Sequence, residues 1–130
     1  MNKENPGSWF EIYVNDMDRA KAFYEAVLET TLTSMPMPES AGPAMQMMSF
    51  PMTFDKTHGA PGALVQMEGM SAGGNSSVIY FGSEDCAIEE ARIEAAGGTV
   101  FQPKLDIGEF GFAVMAKDTE GNTFGVHSMK

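Results

Sequence analysis

The most constraining feature of this 130-residue sequence is a strand–helix pattern that occurs twice. The segment "SWFEIYVND" alternates between two faces, and the following "MDRAKAFYEAVLE", capped by Asp16, carries apolar residues at the helical period. The segments "SVIYFG" and "SEDCAIEEARIEAAGG" repeat that order, and an offset of 67 residues aligns Tyr80 with Tyr13 and Ala87 with Ala20. The chain therefore predicts two similar units rather than one continuous pattern.

Three strand-like stretches follow each strand–helix opening. In the first unit they are "TTLTSM", "MQMMSF" and "GALVQME", and in the second "TVFQPKLD", "FGFAVMAK" and "NTFGVHS". The turn "DTEGN" joins the last two strands. We therefore predict an α+β fold of paired βαβββ units, over about residues 7–70 and 75–129, that form one cup-shaped mixed sheet within a single domain spanning residues 1–130.

Composition excludes several classes of partner. The net charge of −10 opposes the phosphate attraction on which nucleic-acid binding depends. No run approaches the roughly 18 apolar residues of a membrane span, and the N-terminal segment lacks the apolar core of a secretory signal. We therefore expect a soluble, cytoplasmic protein that binds neither nucleic acid nor membrane. The single cysteine, Cys86, allows no intramolecular disulfide and is interpreted as a buried core residue.

Several of the twelve methionines cluster in "SMPMPES" and "AMQMMSFPM". Their flexible thioethers suit an adaptable apolar pocket, but they suit an irregular core equally well. The core is the preferred interpretation, with the pocket as the alternative.

Three motifs resemble a known family. The segments "VNDMDRAKAFYEAVL", "EEARIEAAGGTV" and "DTEGNTFGVHS" are similar to the vicinal oxygen chelate superfamily, which contains glyoxalases, bleomycin-resistance proteins and extradiol dioxygenases, and in particular to its glyoxalase-like bacterial branch. The resemblance implies the glyoxalase/bleomycin resistance/dioxygenase fold and a cup that commonly holds a divalent metal such as Zn, Fe, Mn or Ni. It also favours a homodimer, because members often pair to form or close their cups.

The metal-ligand positions that the resemblance implies are mostly lost in this sequence. They fall on Trp9, on Gly125, on Ser77 or Val78, and on Gln66 or Glu68. Since tryptophan, glycine and valine cannot ligate such metals, at most one ligand survives. The lactoylglutathione-lyase reaction, which needs a metal to polarise the substrate oxygens, is therefore not expected.

Glu11 and His127 are the predicted catalytic residues and the remaining candidate metal ligands. Each lies two residues from a lost ligand position, so strand alternation predicts that both face the cup. Three roles stay open: a metal site completed by His58 or Glu109, an acid–base pair in a lyase, isomerase or dioxygenase, or a buried hydrogen-bonded pair that joins the first and last strands.

The function predicted from the sequence is binding of a small, partly apolar molecule in the cup. Catalysis on that molecule is left open, and the alternative is a binding or antibiotic-sequestering protein that uses no metal. The residues predicted to contact the molecule, besides Glu11 and His127, are Trp9, Tyr13, Tyr80, Glu109 and Phe124.

Overall fold

The chain folds into two βαβββ units, as the repeat predicts. The structure is a computed structural model, and it describes residues 4–36, 45–53 and 59–130. The first unit comprises β1 (Phe10–Tyr13), α1 (Met17–Leu28), β2 (Thr33–Ser34), β3 (Met45–Ser49) and β4 (Gly62–Met67). The second comprises β5 (Ile79–Gly82), α2 (Cys86–Ile93), β6 (Thr99–Asp106), a 3-10 turn (Gly108–Phe110), β7 (Phe112–Lys117) and β8 (Thr123–Ser128).

Each unit forms its own four-stranded sheet. The strand order is β1-β4-β3-β2 in the first sheet and β5-β8-β7-β6 in the second, and in each the opening strand pairs in parallel with the last strand of its unit. The α+β class and the paired units are confirmed. The eight strands are divided between two hydrogen-bonded sheets instead of forming one, and β1 and β5 are edge strands.

Both helices begin as the sequence predicts. The Asp16 carboxylate accepts a hydrogen bond from the Arg19 amide at 3.1 Å, and Asp85 accepts one from the Ala87 amide at 3.0 Å. Helix α2 is shorter than predicted because the chain turns after Ile93 and reaches Gly97 with φ +107°. No described helix is long and apolar enough to cross a membrane.

The two units share one hydrophobic core. Ile12 and Leu64 of the first sheet and Val114 and Val126 of the second belong to the same buried cluster as the inner sides of both helices. Aromatic rings from both units meet there, as in the contact between Phe23 and Phe124, whose centroids are 5.8 Å apart. Cys86 is buried in this core, as predicted.

The opposite face of each sheet is turned away from the shared core, because neighbouring residues of a strand point to opposite sides. In the first sheet this methionine face carries Trp9, Glu11, Tyr13, Met35, Met45, Met47, Ala63, Val65 and Met67. In the second sheet the corresponding histidine face carries Tyr80, Ala113, Met115, Gly125 and His127. These two faces contain most of the predicted site residues.

A buried carboxylate in the turn between β7 and β8 ties the second unit to the start of α1. Glu120 accepts hydrogen bonds from the Asn15 and Asp16 amides, each at 2.9 Å, and from two nitrogens of Arg19 at 2.7 and 2.9 Å. Burial alone would raise the pKa of Glu120, but these hydrogen bonds and one from Thr119 outweigh it and lower the pKa to about 2. The side chain is therefore ionised in the folded protein.

The same turn contacts α1 and β1 at two further points. The Tyr24 hydroxyl donates to Asp118 at 2.6 Å, and burial together with that carboxylate raises the pKa of Tyr24 well above its usual value. The Asn122 side-chain amide donates to the Tyr13 carbonyl at 2.8 Å. The sequence predicts only a hairpin turn for this segment, and its role between the units becomes visible in the structure.

We predict that Glu120→Gln destabilises the protein at neutral pH. A carboxyl whose pKa falls from 4.5 to about 2 on folding contributes up to about 3 kcal/mol above pH 4.5, and that contribution is lost as pH falls toward 2. The difference in unfolding free energy between wild type and variant should therefore shrink over that range. Chemical denaturation followed by circular dichroism at several pH values measures it.

Glu68→Gln is the matched control, because Glu68 is an exposed carboxylate beyond the end of β4. It should leave stability nearly unchanged at every pH. Equal stability of Glu120→Gln and wild type at pH 7 would contradict the role of this carboxylate.

Candidate functional site

Glu11 accepts hydrogen bonds from both aromatic side chains beside it on the methionine face. The Trp9 indole N–H donates to one carboxylate oxygen at 3.1 Å, and the Tyr13 hydroxyl donates to the other at 2.8 Å. The hydrogen bond to Glu11, with burial and the negative charge of that carboxylate, raises the pKa of Tyr13. Tyr13 therefore remains a donor to Glu11 at physiological pH, and the carboxylate is oriented by two rings.

Thioether and aliphatic side chains lie on the same sheet face as this carboxylate. Met47, Ala63 and Val65 are buried, and Trp9, Tyr13 and three further methionines pack against them. Glu11 itself is exposed. The methionine face thus presents one accessible negative charge within an apolar surface, a combination typical of small-molecule sites.

A cavity of about 440 Å³ lies at the junction of the two units, beside the edge strand β1. Glu11 and Tyr13 line one wall, Tyr24 and Phe124 line another, and residues 70–77 contribute much of the remainder. Phe124, a predicted ligand contact, is only 1% exposed and packs on three rings of the core. Its contribution to a ligand site is limited to this cavity.

His127 lies on the other sheet, in a pocket of about 390 Å³ that it shares with Tyr80, Ile107, Phe110 and Ala113. Its Nε2 is 2.6 Å from the Phe110 carbonyl oxygen. Because a carbonyl can only accept, this nitrogen must carry a proton, which leaves Nδ1 as the acceptor of the neutral ring. The 3-10 turn that supplies the carbonyl thus fixes both the orientation and the tautomer of the imidazole.

Tyr80 occupies the space beside Gly125. A Cβ atom added to Gly125 would lie 2.5 Å from two Tyr80 ring carbons, so the ring lies directly across the glycine. Gly125 is the position to which the family resemblance assigned the last metal ligand. An aromatic ring therefore covers that position.

The other implied ligand positions do not form a divalent-metal site either. The Gln66 side chain accepts a hydrogen bond from the Met17 amide at 2.8 Å and so faces α1 instead of the outer face. Glu68 is exposed beyond β4, and Ser77 and Val78 precede β5. Across residues 4–36, 45–53 and 59–130, no three histidine, cysteine, aspartate or glutamate side chains are grouped to hold a metal.

Glu11 and His127 do not meet within one chain. They lie on different sheets and line different cavities, and no hydrogen bond or ion pair joins them in the described structure. One of the three roles left open, a buried hydrogen-bonded pair between the first and last strands, is wrong, because the two strands belong to different sheets and Glu11 is exposed. Glu109 is exposed in the 3-10 turn next to Phe110, and His58 lies outside the described residues.

Four methionines lie together on one sheet face, although an irregular core is the interpretation preferred from the sequence. Met35, Met45, Met47 and Met67 all lie on the methionine face. The signal was present in "MQMM" and "GALVQM", where alternation places Met45 and Met47, and separately Ala63, Val65 and Met67, on one side of their strands.

Comparisons with known proteins agree on the fold. The family described as "Glyoxalase/Bleomycin resistance protein/Dioxygenase superfamily" matches residues 8–126. A glyoxalase I mutant from Zea mays superposes with a TM-score of 0.73 at 16% identity, covering 95% of this chain and 47% of the maize chain. TnmS3, an antibiotic binding protein from Streptomyces sp. CB03234, superposes with a TM-score of 0.64 at 24% identity, covering 93% of each chain.

A third solved structure, the hypothetical protein SA1046 from S. aureus, gives a TM-score of 0.65 at 17% identity and covers 95% of this chain and 93% of its own. No curated protein sequence matches the chain significantly. At these identities the structural neighbours establish the fold, and the function has to be argued from the site.

We predict that neutral His127 is the Nε2–H tautomer. Long-range proton–nitrogen correlation spectra, recorded at a pH high enough for the imidazole to be neutral, distinguish the two tautomers. Since the sequence has two histidines, a His58→Gln variant assigns the signals. An Nδ1–H tautomer for His127 would contradict its hydrogen bond to Phe110.

Proposed function

Because the chain belongs to the Glyoxalase/Bleomycin resistance protein/Dioxygenase superfamily, we propose that it binds a small, partly apolar molecule through the outer faces of its sheets. The observation that carries this proposal is the Glu11 carboxylate, which Trp9 and Tyr13 orient on a surface of methionine and aliphatic side chains. Such a surface buries an apolar ligand, and its carboxylate accepts a hydrogen bond or pairs with a positive charge.

Binding without metal-assisted chemistry is the form of this proposal that the site favours. Trp9 and the Tyr80 ring over Gly125 lie at positions to which the resemblance assigns metal-ligating residues, and neither aromatic side chain can hold a divalent ion. The antibiotic-binding neighbour TnmS3 shows that this fold occurs in proteins that bind antibiotics. The protein proposed here is therefore a binding or sequestering protein, and the proposal places it in the cytoplasm.

A second candidate function is acid–base chemistry on the bound molecule, and His127 favours it. Its Nε2 is engaged by the Phe110 carbonyl, and in the described structure no hydrogen bond occupies Nδ1. A neutral imidazole with a free acceptor nitrogen in a pocket can remove a proton. If this is the function, His127→Ala abolishes turnover of a bound carbonyl or aromatic compound while binding persists.

We further propose that two chains pair, so that the methionine face of one covers the histidine face of the other. Phe110 and Tyr80 are 67% and 52% exposed, and Phe101 and Leu105 of β6 are exposed on the same sheet. Exposed apolar side chains of this size mark an interaction surface. Pairing of this kind would bring Glu11 of one chain and His127 of its partner into one cup.

We predict that Glu11→Gln weakens ligand binding by about tenfold or more, because it removes a charged acceptor at the site. A panel of natural-product antibiotics is screened by thermal shift and by the fluorescence of Trp9, the single tryptophan, which donates to Glu11. Glu68→Gln serves as the control, since it changes an exposed carboxylate outside the methionine face. The absence of any compound that shifts either signal would contradict the proposal.

We predict a dimer of the 14.0 kDa chain in sedimentation-velocity experiments. Phe110→Asp should weaken its association, because it places a charge on the exposed apolar surface of the second sheet. Ile88→Asp is the matched control, since Ile88 is 45% exposed on α2, away from both outer faces. Wild-type protein that sediments as a monomer at micromolar concentration would exclude the pairing.

A further inference from the structure

The thioethers of the methionine face are arranged around neighbouring strand positions. Met45 lies directly opposite Met67 in the antiparallel pair of β3 and β4, and Met47 lies two residues from Met45 on the same face. Met35 follows the last residue of β2. Its amide donates to the Met47 carbonyl at 3.0 Å, so Met35 lies beside Met47 of β3. Directly opposed side chains in such a sheet have Cβ atoms about 5 Å apart.

The thioethers of neighbouring methionines therefore project from the same face of the sheet. Each methionine has three rotatable bonds, and Met35, Met45 and Met67 pack against the buried group of Met47, Ala63 and Val65. Met35, Met45 and Met67 are partly exposed, so these side chains can be reached from solvent. The inner face of the same strands is built differently, with Ile12, Leu64 and a single methionine, Met48.

We propose that this cluster is a binding site for a soft monovalent metal ion, with Met45, Met47 and Met67 as ligands and Met35 beside them. Neutral thioethers select Cu(I) and the chemically similar Ag(I) over Zn²⁺, Mg²⁺ or Ca²⁺. The Glu11 carboxylate on the same face and the net charge of −10 attract a cation to it. This site differs from the divalent-metal site of the family, whose ligand positions are lost.

The site shares the methionine face with the ligand proposed above, but the metal ion alone is the probe, so the two proposals can fail separately. Leucine has nearly the volume of methionine but no sulfur, so Met→Leu changes keep the face apolar and remove the metal ligand. Metal binding should therefore weaken in these variants because sulfur is lost, although the surface remains apolar. Glu11→Gln should weaken metal binding less than the loss of two sulfur ligands, because the carboxylate attracts the ion without being one of its proposed ligands.

The test is titration of the full chain with silver nitrate in chloride-free buffer. Trp9 packs against the cluster and is the single tryptophan, so a bound heavy ion should quench its fluorescence. We expect saturable quenching at one equivalent, and at least about tenfold weaker binding for the Met45→Leu/Met67→Leu variant. Anaerobic competition between the protein and bicinchoninate for Cu(I) should give the same ranking, and zinc nitrate should have no effect.

Two controls make the result specific. Met52→Leu/Met129→Leu removes two exposed sulfurs outside the cluster and should bind like wild type. Cys86→Ala removes the single thiol, which is buried in the core, and should also retain binding. Thermal unfolding by circular dichroism establishes that each variant folds, and the single Met67→Leu change replaces the double variant if that one does not.

The proposal is overturned by any of three results: no saturable quenching, unchanged binding in the folded Met45→Leu/Met67→Leu variant, or loss of binding in Cys86→Ala.

Discussion

The arrangement of the two units depends on a carboxylate that is buried between them. Glu120 loses its hydration in this position, and the two amides before α1, the Arg19 guanidinium and the Thr119 hydroxyl compensate for it. The amides are unpaired donors because they precede a helix, so one interaction satisfies both the carboxylate and the helix start. This connection holds the turn of the second unit on the first and brings Phe124 against Phe23 of α1.

The contact of Glu120 with the start of α1 holds the two units together, so the helix-facing sides of both sheets pack in one core. The other side of each sheet must therefore face outward. Glu11 and His127 are consequently on separate surfaces, although their strands are the first and last of the chain. Each is fixed by its own sheet: Trp9 and Tyr13 orient Glu11, and the Phe110 carbonyl orients His127. In the proposed dimer, pairing of the methionine face with the partner's histidine face would combine them in one site.

The sequence predicts local features of this fold well, because they follow from the strand and helix periods. Alternation places Trp9, Glu11 and Tyr13 on one face, and Asp16 marks the start of α1. The sequence cannot predict contacts that depend on how the units dock. The Gln66 side chain, a candidate ligand position from the sequence, accepts a hydrogen bond from the Met17 amide at the start of α1. The contact of Glu120 with the Asn15 amide of the other unit is likewise visible only in the folded structure.

The positions to which the family resemblance assigns metal ligands share one physical feature. Trp9 is at the first of them, and the Tyr80 ring lies across the last, at Gly125. Without a covering side chain the backbone of the strand would be exposed to water, whereas an aromatic ring covers it and adds apolar contact area. The surface that results is apolar with one oriented carboxylate on the first sheet and one oriented imidazole on the second. This combination is the physical basis of the proposed binding of an apolar molecule that carries a polar group.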